Sequence, residues 1–561
     1  MTTSTTTTTN TKQPPRKPEE DTNVVETIQS LIVAFALAMG VRSFVTEGFV
    51  IPTGSMAPTL MGAHVRLTSE QTGYTYPADT GPANDEVRML GPNYRNFPRD
   101  LNDPMLSNTE RIGVIGNSEI VMQERSGDRV LVMKYLYAFQ EPQRWDVVVF
   151  KQPPDPCSAA ENYIKRLVGL PNEQILLLDG DVFTAPLGAD RSKFAIQRKP
   201  EHVQRAVWQE VHNSDYEPID PSGVAKAWGR PWPGVPWETE GFDLGARGTA
   251  RAWRHDDGAK PASLTWRWDA MPINDFAPYN TWRNIPTQLR YSVSDVRVCA
   301  AIEADDPAKL ATQYTLETRK RAMVFAIADG KASIRIERAK EGPSDAVQVL
   351  SEKSVEFDAP SKGAAFDVEF WHVDQRLSMW VNGREVVALD YGFESLEERL
   401  LASFNGRSLE DYLRQPSFQQ PTPPKLAMSF KGSALTLHRV RVDRDLYYRP
   451  ANLDPSERSQ PLQNGEPISG LAFATDFKKP AELKADQFMM CGDNSACSKD
   501  SRLWGRPSPV VKAIFGEDAP FIVPRPLLLG KAWCVYFPAP IEPMAGLPKL
   551  LPDFGQLRFI R

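Results

Sequence analysis

Residues 24–45 are almost wholly apolar, with Leu31-Ile32-Val33-Ala34-Phe35-Ala36-Leu37-Ala38-Met39 unbroken by charge, and beyond them the pattern changes to short strand-like runs. A membrane-spanning helix needs about 20 mostly apolar residues. The run fits that length, although Glu26, Gln29 and Ser30 interrupt its start and Arg42 closes it. A cleaved leader would need small residues in an A-x-A arrangement just after the run, and Ser43-Phe44-Val45-Thr46-Glu47-Gly48-Phe49 has none. A core helix and an anchor remain, and the anchor is the expectation. Residues 1–23, rich in Thr, Pro and charge, hold too little apolar surface to order themselves and read as a disordered tail.

Further on, residues 129–133, 145–150 and 527–537 read as strands, as do residues 174–178, which run into the hairpin signal Asp179-Gly180. The segment 185–470 is a long insertion with its own hairpin signals. Residues 323–327 and 333–336 flank Asp329-Gly330, residues 366–371 and 377–381 precede Asn382-Gly383, and residues 426–430 and 435–440 flank Lys431-Gly432. Closely spaced antiparallel strands of this kind predict a β-sandwich at about 260–445, with Trp371 and Trp380 in its core. The expected architecture is mainly β: a tail (1–23), a transmembrane helix (24–45), a β domain split into 46–184 and 471–561, and the insertion between its halves. The sandwich, with both candidate catalytic residues before it in the chain, is expected to be an accessory unit.

A length of 561 residues agrees with more than one core. Charged residues at 24% and hydrophobic residues at 41% fit a folded, mostly soluble chain, and the 48 prolines favour loops and short strands over long helices. Net charge is −6 and no basic stripe is present, which argues against a nucleic-acid partner. The five cysteines form no Cys-x-x-Cys, so a zinc ribbon is not expected, and no metal or cofactor is implied. Cys491 and Cys497 are close enough in sequence for a disulfide, and two thiols fit equally well.

The chemistry begins at Ser55, in Ile51-Pro52-Thr53-Gly54-Ser55-Met56-Ala57-Pro58-Thr59-Leu60. A serine in a Gly/Pro-flanked turn is ordinarily structural. Three further words follow in order: Gly127-Asp128-Arg129-Val130-Leu131-Val132-Met133-Lys134, Tyr163-Ile164-Lys165-Arg166-Leu167-Val168-Gly169-Leu170-Pro171, and Gly492-Asp493-Asn494 with Ser498-Lys499-Asp500-Ser501-Arg502-Leu503-Trp504-Gly505. A serine nucleophile needs a base. No histidine stands in a matching motif, Ser55 is not in a G-x-S-x-G elbow, and the chain has no Ser-x-x-Lys, which leaves a lysine distant in sequence. Lys165, among Tyr163, Ile164, Leu167 and Val168, is the candidate. It has to be buried to lose its proton near neutral pH, and the adjacent Arg166 has to point away.

Together the four words resemble the bacterial type I signal peptidases, membrane-bound Ser/Lys enzymes that cut signal peptides from exported proteins. The resemblance covers roughly the first third and last sixth of the chain. It implies Ser55 as nucleophile and Lys165 as general base, with the Ser55 N–H and the Thr53 hydroxyl holding the oxyanion. It implies Ser498 as the serine that orients the lysine, and Asp500 with Arg502 as a supporting ion pair. Phe49, Ile51, Pro52, Met56, Leu60, Tyr163 and Ile164 match the family's pocket positions for small side chains of the substrate, and the same residues also read as core. Ser495-Ala496-Cys497 departs from the family's usual Arg-Asp-Asn. The implied place is the bacterial cytoplasmic membrane, single-pass with the body outside, the implied partners signal peptides of exported preproteins and membrane lipid.

The word Phe370-Trp371-His372-Val373-Asp374 with Trp380-Val381-Asn382-Gly383-Arg384 resembles concanavalin-type or laminin-G-like jelly rolls, for which a glycan or protein ligand is an expectation. Two other classes fit part of the pattern. A catalytically silent, membrane-tethered binding protein would use the sandwich alone, and retention of both Ser55 and Lys165 speaks against it. A self-cleaving Ser/Lys protease would share the dyad but lack an anchor directly before the nucleophile.

Overall fold

Alternating runs become antiparallel strands in the computed structural model of the chain, which describes Thr3 and residues 24–561 apart from 70, 80–99, 102, 107–111, 114–122, 157–161, 219, 229–233, 245–250, 281–288, 341, 343–345, 405–407, 415–419, 454–461, 464–465, 468–469 and 542–549. The tail at 1–23 lies outside the described residues except for Thr3. The chain is mainly β.

The apolar run forms a helix, Val24–Gly40, of 17 residues, followed by a π-helical turn, Val41–Val45. At 1.5 Å per residue that α-helix spans about 26 Å against a hydrocarbon core of about 30 Å. Among the described residues no helix is long and apolar enough to cross a membrane. The spanning anchor expected from the sequence is therefore not supported. Glu26, Gln29 and Ser30 shorten the apolar part at one end, and the α-helical hydrogen bonding stops before Arg42 at the other.

An eight-stranded sheet carries the words at 127–134 and 163–171, and its strand Gln487–Cys491 leads into Gly492-Asp493-Asn494. Its order is Thr46–Val50, Arg129–Met133, Leu528–Phe537, Val147–Lys151, Asn162–Gly169, Gln487–Cys491 and Val523–Pro524, with Arg558–Phe559 pairing off Leu528–Phe537. The chain's two distant parts are thus interleaved: a strand from the C-terminal part lies between two from the N-terminal part. A four-stranded sheet, Ala195–Ile196, Asp181–Pro186, Glu173–Leu178 and Ala481–Leu483, stands beside it. Asp179 and Gly180 take positive φ (48° and 87°) in its two-residue turn, the backbone for which Asp-Gly is favoured.

The insertion folds into two seven-stranded antiparallel sheets. Their facing residues, among them Trp253, Phe370 and Leu437 from one sheet and Leu264, Tyr314 and Phe430 from the other, form one buried core. The paired strands begin at Gln209–Asn213, well before residue 260, because Trp237–Glu240 and Ala252–His255 are only four residues long and show little alternation. Two expectations need correction. The strands Lys425–Lys431 and Leu435–Arg444 are not a hairpin: they belong to opposite sheets, and the turn at Gly432 carries the chain across. Trp371 and Trp380 are buried outside the sandwich core, in a cluster with Trp208. Successive side chains of a strand point to opposite faces, so with Phe370 facing inward Trp371 faces out.

Candidate active site

Ser55 sits in a short 3-10 turn, Gly54–Met56, directly after the outermost strand of the eight-stranded sheet. Apolar side chains fix the turn from below: Ile51, Met56 and Leu60 are buried with Val130, Val132, Val147, Val149 and Ile164 in one cluster. Asp128 fixes it laterally. Its carboxylate accepts the Met61 N–H at 3.0 Å and the Ala539 N–H at 3.1 Å, and the Ile51 N–H donates to its carbonyl at 2.9 Å. A glycine-aspartate word at 127–128 thereby anchors both ends of the serine loop.

Lys165 arrives from the middle of Asn162–Gly169, a strand flanked on both sides within the sheet. Its Nζ lies 2.6 Å from Ser55 Oγ and donates to the Ile164 carbonyl at 3.0 Å. Only 4% of the residue is exposed. Burial pushes its pKa down to about 8, against the smaller opposing pull of Asp500 and Asp493. Arg166, its neighbour on the strand, points the other way and is wholly buried in a bidentate pair with Asp493 (Nε to Oδ1 2.7 Å, Nη2 to Oδ2 2.6 Å). Thr59 donates to the same carboxylate at 2.5 Å, tying the serine loop to that pair.

The loop Gly492–Ser498 closes the other side. Asp500 and Arg502 pair through Nε to Oδ1 and Nη2 to Oδ2, each 2.8 Å, and both are buried. Burial opposes ionisation of Asp500, but the Arg502 guanidinium holds its carboxyl below the usual range. Asp500 also accepts the Gly492 N–H at 2.9 Å. A side chain at Gly492 would have its Cβ 2.2 Å from Ser498 Oγ and 2.4 Å from the Ser55 carbonyl oxygen, so glycine is what lets the two loops touch. In the divergent word, Ser495 Oγ accepts from Arg502 Nη1 at 2.7 Å and from the Arg449 N–H at 3.0 Å. The ion pair therefore holds this loop through residues the family resemblance does not supply.

Not every expected residue joins the site. Ser498 is buried near Asp500, but its contact falls short of hydrogen-bond geometry and its Oγ makes no bond to Lys165. Lys165 is oriented instead by Ser55 and the Ile164 carbonyl. Thr53 is exposed where the chain enters the turn. Of the seven apolar positions, Ile51, Met56, Leu60 and Ile164 are core; Pro52 is exposed, and Phe49 and Tyr163 are half-buried, Tyr163 against Phe150 and Trp504. Cys491 and Cys497 form no disulfide, and Cys157 is outside the described residues. Missed from the sequence were the roles of Asp493 and Asn494, although both stand in a quoted word, and those of Tyr279 and Asn280 in the insertion. Tyr279 packs on Ala57 and Met61, and Asn280 bonds to Asn494 at 2.8 Å. The insertion thus touches the serine loop, a contact that the accessory expectation did not include.

Residues 117–210 match the family described as signal peptidase, peptidase S26. Signal peptidase I of Leptolyngbya laminosa is 26% identical over 173 residues, 30% of this chain and 52% of that protein. Signal peptidase I of Rickettsia massiliae is 23% identical over 182 residues, 32% of this chain and 51% of that one. The chain is a relative of the type I signal peptidases. It spans about half the length of the curated relatives it matches. Among solved structures, the carbohydrate binding module CBM66 from Bacillus subtilis is similar over 38% of this chain and 97% of that one (8% identity, TM-score 0.20), and the Caenorhabditis elegans galectin LEC-6 over 27% and 82% (12% identity, TM-score 0.16). Scores this low add nothing to the reading of the site.

Proposed function

We propose that this signal peptidase relative is a serine endopeptidase that removes N-terminal signal peptides from exported proteins, with Ser55 as nucleophile and Lys165 as general base. The observation that carries the reading is the 2.6 Å contact between Ser55 Oγ and a buried lysine whose pKa is lowered to about 8. In this mechanism neutral Lys165 takes the Ser55 proton as Oγ attacks the scissile carbonyl. The oxyanion is held by the Ser55 N–H and the Thr53 hydroxyl. Lysine then gives its proton to the leaving amine, and in a second round activates the water that releases the acyl group. An extended peptide adds along the outer edge of Thr46–Val50, the outermost described strand of its sheet and the one that leads into the serine turn.

Membrane attachment is part of the proposal. In Val24–Gly40 the residues Leu31, Ile32, Val33 and Phe35 are all exposed. At 100° per residue they span about 200° of the helix surface, a broad apolar face suited to lipid contact. Incubating detergent-solubilised protein with a secreted precursor and mapping the cut by mass spectrometry tests the activity. No cut in the precursor under conditions where the protein is folded rejects it.

The pH dependence follows from Lys165. The active base is the neutral form, so kcat/KM should climb about tenfold per pH unit below 8 and level off above it. A profile flat between pH 6 and 9 refutes lysine as base. The same shift predicts a stability effect. The folded pKa of about 8 is below the unfolded 10.5, so burying the charge costs stability fully below pH 8, and the cost fades as pH rises toward 10.5. Lys165→Met should therefore raise stability at pH 7, by up to about 3 kcal/mol, and raise it less at pH 10. Urea denaturation at the two pH values measures this.

A further inference from the structure

The turn Pro278–Asn280 belongs to the inserted sandwich, yet both of its last two side chains are spent on the serine loop. Tyr279 is 3% exposed and Asn280 1%. The Tyr279 ring lies hard against Gly54: a Cβ on Gly54 would be 1.9 Å from its Cε1. Its hydroxyl donates to the Ala63 carbonyl at 3.2 Å, beyond the far end of the loop. Asn280 and Asn494 form a reciprocal amide pair, each Nδ2 donating to the other's Oδ1 at 2.8 Å. Asn494 has a second use for the same Nδ2, which donates to the Gly54 carbonyl at 2.9 Å, while its backbone N–H donates to the Ser55 carbonyl at 3.1 Å.

The Gly54 carbonyl and the Ser55 N–H are the two ends of one peptide unit. In a trans peptide they point in opposite directions, so a donor that holds the carbonyl also aims the N–H. Asn494 can hold it only with Nδ2 toward Gly54, since the flipped amide would set oxygen against oxygen. With the Gly54 carbonyl setting that orientation, Asn280 holds it by offering its own Oδ1 to Nδ2 and its own Nδ2 to Oδ1. We propose that Asn280, with Tyr279 as a wedge against Gly54, is a positioning residue supplied by the insertion, which locks the Gly54–Ser55 peptide plane through Asn494 and so points the Ser55 N–H at the developing oxyanion. This rests on Ser55 being the nucleophile. It makes the sandwich a structural part of the active site, whatever else that domain binds.

The test uses the full chain with Asn280→Ala and Asn280→Asp. Aspartate keeps the shape but turns the donor facing Asn494 Oδ1 into an acceptor. Both Asn280 variants should lose at least tenfold in kcat with KM changed less than threefold, and the pH midpoint should stay with Lys165, because the base is untouched. Hydrogen exchange read by mass spectrometry gives an arm independent of activity: the peptide covering residues 51–61 should exchange at least tenfold faster in Asn280→Ala, with Leu528–Phe537 unchanged. Parent-like kcat in both Asn280 variants, or unchanged exchange at 51–61, overturns the proposal while leaving the dyad standing. Absence of any Ser55-dependent cleavage in the parent sinks the peptidase reading instead, and the exchange arm still decides whether Asn280 holds the loop.

Discussion

Ser55→Ala and Lys165→Ala are each expected to reduce precursor cleavage by at least about 1000-fold, and the double variant to be no worse than either single one, because a nucleophile and its base act as one unit. The geometry gives little room for a substitute. Lys165 Nζ lies 2.6 Å from Ser55 Oγ, and the nearby Arg166 is committed to Asp493 on the far side of the strand. Lys165→Arg should be equally inactive, since a guanidinium does not deprotonate in a protein. Circular dichroism and denaturation of each variant separate lost chemistry from lost fold. A folded Ser55→Ala protein that still cuts the precursor at the same bond would overturn the assignment.

Ser55 and Lys165 lie 110 residues apart, yet both were legible because polar residues in fixed words stand out against apolar surroundings, and because a base has to exist somewhere. Strands such as Arg129–Met133 and Glu173–Leu178 were legible for a different reason: alternating burial in the first and a short apolar run ending in a turn signal in the second are local properties. What was not legible is what depends on tertiary neighbours. Nothing local distinguishes Tyr279-Asn280 from any other loop, and only the docked fold puts them beside Gly54 and Asn494. Lys431-Gly432 reads like a hairpin turn, although the strands it joins bond to partners in opposite sheets, at Ala262–Trp266 and Val296–Ala304. The helix at Val24–Gly40 shows the reverse limit. Its composition invites a spanning reading, and its length does not carry it.

Replacing the insertion with a short Gly/Ser linker is expected to abolish folding and cleavage together and not merely trim them, because the seam between the sandwich and the four-stranded sheet is a buried charge network. At the tip of the Glu173–Leu178 hairpin, Asp179 Oδ2 accepts from Arg399 (2.8 Å), Arg319 (3.1 Å) and Ser403 (2.7 Å), and Asp181 accepts from Arg399 at 2.8 Å. Arg319 also donates to Asp295 at 2.5 Å. Three carboxylates thus share two guanidiniums, all buried. Burial and the Asp295 charge push Asp181 up, while Asp179, although burial opposes it, is held low by Arg399 and Arg319. Beside them Leu176, Leu178 and Phe183 pack on Leu396, Leu400 and Phe404 of the insertion, an apolar face that the linker variant would leave in water. Arg399→Met isolates the electrostatic part. Removing one partner strands buried carboxylates and should cost about 3–5 kcal/mol, whereas Arg376→Met, which breaks surface pairs with Asp390 and Glu385, should cost under about 1 kcal/mol. Urea denaturation of the full-length variants measures both. Equal midpoints for the two would mean the network contributes no more than surface charge does, and a linker variant that folds and cleaves within tenfold of the parent would restore the accessory reading of the sandwich.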